Sequence, residues 1–248
     1  MPSNVHAIST TRLTNTRFSD VENLKAKSRS GLYDHFNLGL HVDDDRESVL
    51  KNRTSLAAEC SLPASPAWLN QTHSTDVVRL DGRGDCIASD GSLINADGSI
   101  TNQVGQVCVV MTADCLPLLL TNRQGTEVAA VHAGWRGMAE GIIENAVAEF
   151  GCNPSEIIAW AGPCIGPKNF EIGLEVKQQL GGLGSHYTLL ANDKALANLY
   201  AICGYKLAQL GVSQYSHSSA CTFTDEHLFY SFRRDGQCGR MATLIWLD

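Results

Sequence analysis

Hydrophobic residues recur along this chain at two different spacings, which predict helices in some segments and strands in others. Helical spacing places Val49, Leu56 and Cys60 on one face of a segment that ends near residue 59. Asp44 is placed to cap the first turn of this helix, with Glu47 three residues further on as in a capping box. The same spacing predicts helices over residues 137–150 and 195–210.

Short runs rich in β-forming residues separate the helices and predict strands. These runs cover residues 68–71, 76–80, 106–111, 116–120, 127–132, 157–160, 213–219 and 242–247. Since strands and helices interleave, we expect an α/β or α+β fold with mixed sheets. Residues 14–36 are polar and are expected to form a long surface loop. Neither an internal repeat nor a linker divides the sequence, so we predict a single domain over residues 1–248.

Composition and charge argue against several classes of protein. The chain has 248 residues, of which 44% are hydrophobic, enough for a sizeable buried core. Its formal net charge of -7 argues against nucleic acid as a partner, because neutralising phosphates needs a basic face. No apolar run approaches the length of a membrane span, and the first residues lack the pattern of a signal peptide. Nine scattered cysteines suit a reducing compartment, so we expect a cytoplasmic protein.

Three segments place a metal-binding side chain at the end of a predicted strand. His73 lies in a polar loop between two predicted strands, Cys115 follows an apolar strand, and His132 ends another strand. Taken singly, they have ordinary interpretations as a surface histidine, a buried thiol and part of a glycine-rich connector. Taken together, two imidazoles and one thiolate form a three-ligand zinc site, whose fourth position stays open for water or substrate.

Charged residues beside these three side chains suggest further parts of a site. Asp114 ends a hydrophobic strand, where a carboxylate needs partners. Arg136 lies at a predicted helix start, whose backbone N–H groups favour an anion. Arg53 lies on the apolar face of the first helix, so it either extends to the edge of the protein or faces a pocket. The histidines left without a role include His35, His41, His217 and His227.

The segments around the three candidate ligands resemble the signature of the YfiH (PgeF) family. The matching motifs are Asn70-Gln71-x-His73-Ser74-x-Asp76-Val77, Ala113-Asp114-Cys115-Leu116-Pro117 and Val131-His132-Ala133-Gly134-Trp135-Arg136-Gly137. Further matches are Thr11-Arg12, Asn37-Leu38, Asn52-Arg53, Gly162-Pro163-x-Ile165-Gly166, Cys221-Thr222 and Tyr230-Ser231-x-Arg233-Arg234-Asp235. A Gly-Gly pair that often follows the first Thr-Arg is absent, since Leu13-Thr14-Asn15 stands there. The resemblance covers nearly the whole chain.

This resemblance implies a four-layer α/β/β/α fold with two mixed β-sheets in a single domain. Members of the family have been called polyphenol oxidases of laccase type, and also purine nucleoside phosphorylases with adenosine deaminase activity. The implied metal ligands are His73, Cys115 and His132, with zinc as the expected metal and copper as the alternative. The implied partners are small molecules, a purine nucleoside and phosphate, and we expect a monomer. The side chains expected to bind them are Arg53, Asn37, Arg136 and Gln71.

Several chemistries stay open on the sequence alone. The first is purine nucleoside chemistry: phosphorolysis of adenosine, inosine or methylthioadenosine, and deamination of adenosine by an activated water. Asp114, or a group behind the metal ligands, would then move the proton. Trp135 or Phe229 would then stack on the base. The second is copper oxidation: no His-x-His pair occurs among the eight histidines, which disfavours a multicopper centre, but two imidazoles, one thiolate and nearby Met111 suit a single copper.

Two further functions would need no metal. Cys115 and His132 could act as the nucleophile and base of a hydrolase or amidase that edits cell-wall precursors. The chain could also bind a nucleotide or a protein without turning it over. If the protein is an enzyme, the expected catalytic residues are Cys115, His73, His132 and Asp114.

Overall fold

The computed structural model describes residues 1–13, 33, 35–82, 86–88 and 90–248. The surface loop predicted over residues 14–36 lies mainly outside these ranges. No helix in the described part of the chain is both long and apolar enough to span a bilayer.

Twelve strands and six α-helices form in the described residues. The strands are β1 (Val5–Ser9), β2 (Val77–Arg79), β3 (Gly98–Thr101), β4 (Cys108–Thr112), β5 (Leu116–Asn122), β6 (Val128–Ala133), β7 (Ile157–Ala161), β8 (Glu171–Gly173), β9 (Tyr187–Leu189), β10 (Lys194–Ala197), β11 (Gln214–His217) and β12 (Met241–Leu247). The helices are α1 (Arg46–Glu59), α2 (Trp135–Glu140), α3 (Ile142–Ala148), α4 (Leu174–Leu180), α5 (Leu199–Gln209) and α6 (Phe232–Asp235). Short 3-10 helices cover Pro154–Glu156 and Gly184–His186. The predicted mixture of helices and strands is confirmed.

The strands form three sheets in the described residues, where the sequence predicted two mixed sheets. The largest has the order β11-β7-β5-β6-β3-β2 and is mixed, because β11 runs parallel to β7 and β2 parallel to β3. A second sheet, β1-β12-β4, is antiparallel throughout. The third sheet, β8-β10-β9, forms from a stretch in which no strand was predicted. The four-layer order and the single domain stay predictions.

Strand β6 is buried on both faces, which explains its continuous apolar sequence. Ala129, Val131 and Ala133 pack in the core cluster that contains residues of α3 and α5. Val128 and Ala130 pack in a second cluster, together with residues of β4 and β12. A strand covered on both sides reads as an unbroken hydrophobic run rather than an alternating one. Because side chains alternate along a strand, His132 follows Val128 and Ala130 on the face toward the sheet of β1, β12 and β4.

Two predicted helices begin or end differently because of single residues. The helix predicted over residues 137–150 is divided into α2 and α3 at Gly141, whose φ of 110° lies in the left-handed region that glycine tolerates best. The helix predicted over residues 195–210 starts only at Leu199. Asn198 caps it by accepting a hydrogen bond from the Ala201 N–H, and the residues before it form β10.

Two further predictions were wrong in detail. The cap of α1 is Asp45, which accepts a hydrogen bond from the Ser48 N–H, whereas the Asp44 carboxylate accepts one from Asn37. Residues 68–71 do not form a strand, and the backbone around them makes only isolated bridges, one of which joins Asn70 to Asn95. The predicted strand from residue 76 is confirmed as the shorter β2.

The register of the six-stranded sheet brings four chain segments together along one edge, at the ends of its strands. Antiparallel pairing of β5 with β6 places Leu116 opposite Ala133, so Cys115 and His132 lie at the same end of these strands. Strand β3 pairs with β6 from Gly98 onward, and β2 pairs with β3 from Val77 onward. The segments that precede β2 and β3 therefore reach the same edge, and they carry His73 and Asp97.

Candidate metal centre

His73, Cys115 and His132 converge at this edge of the sheet. Their potential ligand atoms all lie within 4.8 Å of one another. The Cys115 Sγ is 3.9 Å from the His73 Nε2, and the two imidazole rings meet edge to face with centroids 4.9 Å apart. Among the described residues, no other group of His, Cys, Asp or Glu side chains is placed to hold an ion. Three side chains predicted from separate segments are thus brought together.

Asp97 fixes the orientation of the His132 ring. Its Oδ1 lies 2.7 Å from the His132 Nδ1, and both side chains are buried. Burial alone would lower the pKa of His132, but the charge of Cys115 and the hydrogen bond to Asp97 raise it above its usual value. Because Nδ1 is occupied by Asp97, Nε2 is the ring nitrogen left to bind a metal.

The backbone of the His73 loop wraps around the same carboxylate. His73 has a φ of 62°, which is uncommon for a residue with a side chain. The N–H groups of Thr72, His73 and Ser74 all donate to Asp97, at 3.0, 3.0 and 2.6 Å. Successive N–H groups that converge on one anion, with a left-handed residue among them, form a nest. These bonds hold the exposed His73 at the edge of the sheet.

The electrostatics of Cys115 favour a thiolate. Burial would raise the pKa of its thiol, but the charges of and hydrogen bonds with His132 and His73 lower it below its usual value. Thiolate and neutral imidazole are the forms that bind zinc. Gly134 lies against all three side chains, since a Cβ there would come 3.1 Å from the His73 ring and 3.2 Å from the Cys115 Sγ. The donor set and this lack of a side chain fit one bound ion.

Asp114, a predicted catalytic residue, is directed toward the C-terminal part of the chain. It has a φ of 91°, and its buried carboxylate accepts hydrogen bonds from the Thr222 hydroxyl, the Ser231 hydroxyl and the Arg233 N–H. These three bonds stabilise the left-handed turn that leads into Cys115. All three of these contacts are therefore hydrogen bonds to the protein itself, on the side of the carboxylate that faces the C-terminal part of the chain.

Arg53 faces the protein interior rather than extending to its edge. Its guanidinium lies 3.7 Å above the Trp68 ring, and its Nε donates to the Leu38 carbonyl. Burial and the nearby charge of Arg46 lower the pKa of Arg53 to about 10. No described carboxylate forms an ion pair with it. A desolvated cation without a counter-ion is well suited to an anionic ligand.

Two further side chains, His41 and Arg240, were left without a role by the sequence. Desolvation and the positive charges of Arg240, Arg53 and His132 lower the pKa of His41, which favours its neutral form. Leu38 joins the two arginines, because its N–H donates to the Arg240 carbonyl and its own carbonyl accepts a hydrogen bond from the Arg53 Nε. Arg240 donates through Nη1 to the carbonyls of Cys238 and Gly239. No described residue forms an ion pair with either His41 or Arg240. Arg53 and Arg240 are here called the cationic cluster. Arg53 also reaches the Met111 sulfur, and the Met111 backbone is bonded by Gln71, which lies two residues before His73.

The other predicted substrate-binding residues have different surroundings. The buried Asn37 amide bonds Gly39, Asp44 and the Arg240 N–H, and the Gln71 amide bonds both the N–H and the carbonyl of Met111. Both side chains thus hold neighbouring backbone in place. Arg136 is exposed and stacks on Trp135, with 4.4 Å between guanidinium and ring centroid. Phe229 is fully buried, so it is not available to stack on a bound base.

Comparison with known proteins gives matches over most of the chain. A family sequence model described as multi-copper polyphenol oxidoreductase laccase matches residues 23–248. The purine nucleoside phosphorylase of Haemophilus influenzae is 41% identical over 100% of this chain and 96% of its own length. The purine nucleoside phosphorylase YfiH of Escherichia coli is 44% identical over 87% of each chain.

Solved structures share this architecture. A protein of Neisseria meningitidis is 38% identical with a TM-score of 0.83, covering 100% of this chain and 96% of that one. YlmD from Geobacillus stearothermophilus is 28% identical with a TM-score of 0.85, covering 99% of this chain and 92% of that one.

Gly134→Ala should weaken metal binding without unfolding the protein. The φ of -63° at Gly134 is open to alanine, so the backbone needs no rearrangement. The added methyl group would press on the His73 and Cys115 side chains and displace them from a shared ion. We expect zinc affinity, measured by competition with a chromogenic chelator, to fall about tenfold or more. Gly184→Ala is the matched control, because nothing lies within 4 Å of a Cβ there. Equal zinc affinity in both variants would contradict the described packing.

Proposed function

Since these matches show that the chain belongs to the YfiH family, as its motifs predicted, we propose that it is a metal-dependent purine nucleoside phosphorylase. The observation that carries the proposal is the convergence of His73, Cys115 and His132, with the Arg53 guanidinium 3.7 Å from the sulfur of Met111 at the end of the strand that leads to Cys115. The names of the relatives support the same activity for this chain.

Zinc is the metal that we propose for the trio. Two imidazoles and one thiolate leave one of zinc's four positions open, as in catalytic zinc sites. When bound, zinc would supply a Lewis acid and lower the pKa of a water molecule at that position. The protein's own part is to present Cys115 as a thiolate and to direct Nε2 of His132 toward the site.

Phosphorolysis requires phosphate to be held against the ribose. An oxygen of phosphate forms a bond to C1′ while the C1′–N9 bond breaks and its electron pair leaves with the base. We assign the phosphate to the cationic cluster, because the Arg53 guanidinium stacks on Trp68 and forms no ion pair with a carboxylate in the described part of the chain. Arg136 is a further candidate contact, since its exposed guanidinium has no ion-pair partner among the described residues.

Adenosine, inosine and methylthioadenosine are the substrates that we propose, with deamination of adenosine at the same centre. Trp135 is half-buried and directly follows Gly134, so it is the aromatic side chain that we assign to the purine. The Asp114 carboxylate accepts three hydrogen bonds from the C-terminal part of the chain. We therefore assign Asp114 first to holding the turn at Cys115. We also propose that the protein is cytoplasmic and monomeric.

A second function is favoured by one specific contact. The Asp97 carboxylate bonds His132, whose ring lies beside a Cys115 thiol with a lowered pKa. Nucleophile, base and orienting carboxylate in this order are the components of a cysteine hydrolase. A cysteine hydrolase gives no role to His73, although its ring lies 3.9 Å from the thiol. A metal centre uses all three side chains and is therefore preferred.

Copper oxidation is a weaker alternative that the family description raises. The same three donors suit a single copper ion, for which Met111 was the expected additional ligand. The Met111 sulfur instead lies 3.7 Å from the Arg53 Nη2, within hydrogen-bonding distance for sulfur. This contact occupies the thioether and disfavours its use as a copper ligand.

His73→Ala and Cys115→Ala should each abolish phosphate-dependent release of hypoxanthine from inosine. Loss of a ligand removes several kcal/mol of charge stabilisation, which corresponds to a rate loss of more than about 100-fold. His227→Ala and Cys152→Ala are matched controls, since the first is exposed and neither belongs to the trio. Full activity of both trio variants would refute the assigned site.

Arg53→Gln should raise the KM for phosphate more than the KM for inosine. A hydrogen bond to a charged group contributes about 1.5–3 kcal/mol, so we expect a rise of roughly 10- to 100-fold. Lys51→Gln, an exposed change on the same helix, should leave both constants unaltered. If Arg53→Gln raised only the KM for inosine, phosphate would have to bind elsewhere.

A further inference from the structure

The fully buried Asp97 carboxylate is shared between two of the three candidate ligands. Its Oδ1 accepts hydrogen bonds from the His73 N–H, at 3.0 Å, and from the His132 Nδ1, at 2.7 Å. Its Oδ2 accepts the N–H groups of Thr72 and Ser74 and the Ser74 hydroxyl. The Asp97 carbonyl also accepts the His132 N–H at 2.7 Å. One residue thus contacts both histidines, through side chain and backbone.

We propose that Asp97 is the positioning residue of the metal centre, which holds His73 and His132 together in the arrangement that binds metal. This inference rests on the metal centre proposed above. Asp97 does not reach the ion or the substrate; it acts through the two histidines. It sets the tautomer of His132, so that Nε2 is presented to the metal, and it stabilises the left-handed backbone of His73.

A carboxylate is required because every hydrogen-bonding partner of Asp97's side chain can act as a donor. Each oxygen receives at least two N–H or O–H groups, and a carboxylate can accept all of them. An asparagine has the same shape, but its NH2 group cannot accept a hydrogen bond. If the NH2 group took the position of Oδ2, it would face the N–H groups of Thr72 and Ser74, which are donors as well. Placed at Oδ1, it would face the His73 N–H and favour the opposite tautomer of His132.

The other tautomer would be unsuited to binding. With its proton on Nε2, His132 would have no lone pair toward the shared site. His73 would also lose the anion around which its backbone turns. Because one substitution affects two ligands at once, its effect on metal affinity should exceed that of losing a single surface hydrogen bond.

The test is zinc affinity of the full-length protein with Asp97→Asn, measured by chelator competition. We expect binding about 10- to 100-fold weaker than in the unmodified protein, as for other residues that orient metal-binding histidines. Asp76→Asn is the matched control, since it is the same substitution at an exposed position in the same loop. Its zinc affinity should be unchanged. Visible spectra of the cobalt-loaded proteins should differ for Asp97→Asn alone.

The outcomes separate this inference from the proposed function. Uptake of zinc by the unmodified protein, with equal affinity in folded Asp97→Asn, would overturn the role of Asp97 and leave the metal centre standing. Failure of the unmodified protein to bind zinc would refute the metal centre itself. Thermal unfolding of the metal-free proteins shows whether Asp97→Asn is folded.

A second measurement needs no variant, which covers the case in which Asp97→Asn does not fold. Nitrogen-15 NMR of the histidine rings in the unmodified protein reports which nitrogen carries the proton. The inference predicts that the His132 Nδ1 stays protonated and that zinc shifts the Nε2 resonance. Zinc bound at Nδ1, or a neutral ring that carries its proton on Nε2 rather than on Nδ1, would overturn it.

Discussion

Strands β5 and β6 pair so that Leu116 lies opposite Ala133 and Pro117 lies opposite His132. This register brings Cys115, one residue before β5, to the end of β6 where His132 is located. Side chains on both faces of β6 are packed in apolar clusters, which leaves little freedom for the strand to slip. A slip by one residue would move His132 to the opposite face. The candidate centre therefore depends on a register that the hydrophobic core enforces.

Charge is distributed unevenly around this edge of the sheet. Two carboxylates at the trio, Asp97 and Asp114, are buried and accept several hydrogen bonds from the protein. The cations Arg53 and Arg240 lack carboxylate partners among the described residues. A site with engaged anions and unpaired cations favours an anionic ligand. This balance supports phosphate as a substrate, even though the protein as a whole carries a net charge of -7.

The trio was predictable because each member ends a recognisable apolar run or lies between two of them. Asp97 was missed because three of its partners are backbone N–H groups some 24 residues away, which no side-chain motif records. The relation of Arg240 to the first part of the chain was also hidden, since its N–H bonds Asn37, 203 positions earlier. The start of α5 could not be read from periodicity, because Lys194–Ala197 pairs with two other strands instead of continuing the helix.

The central claim is that one metal ion, held by His73, Cys115 and His132, is required for phosphate-dependent cleavage of purine nucleosides. The most direct measurement is hypoxanthine release from inosine by the metal-depleted protein as zinc or copper is returned in small steps. We expect no release without metal, and a rate that rises with zinc until about one equivalent per chain is bound. Full turnover by the metal-free protein, abolished by alkylation of Cys115, would contradict it and identify a cysteine enzyme.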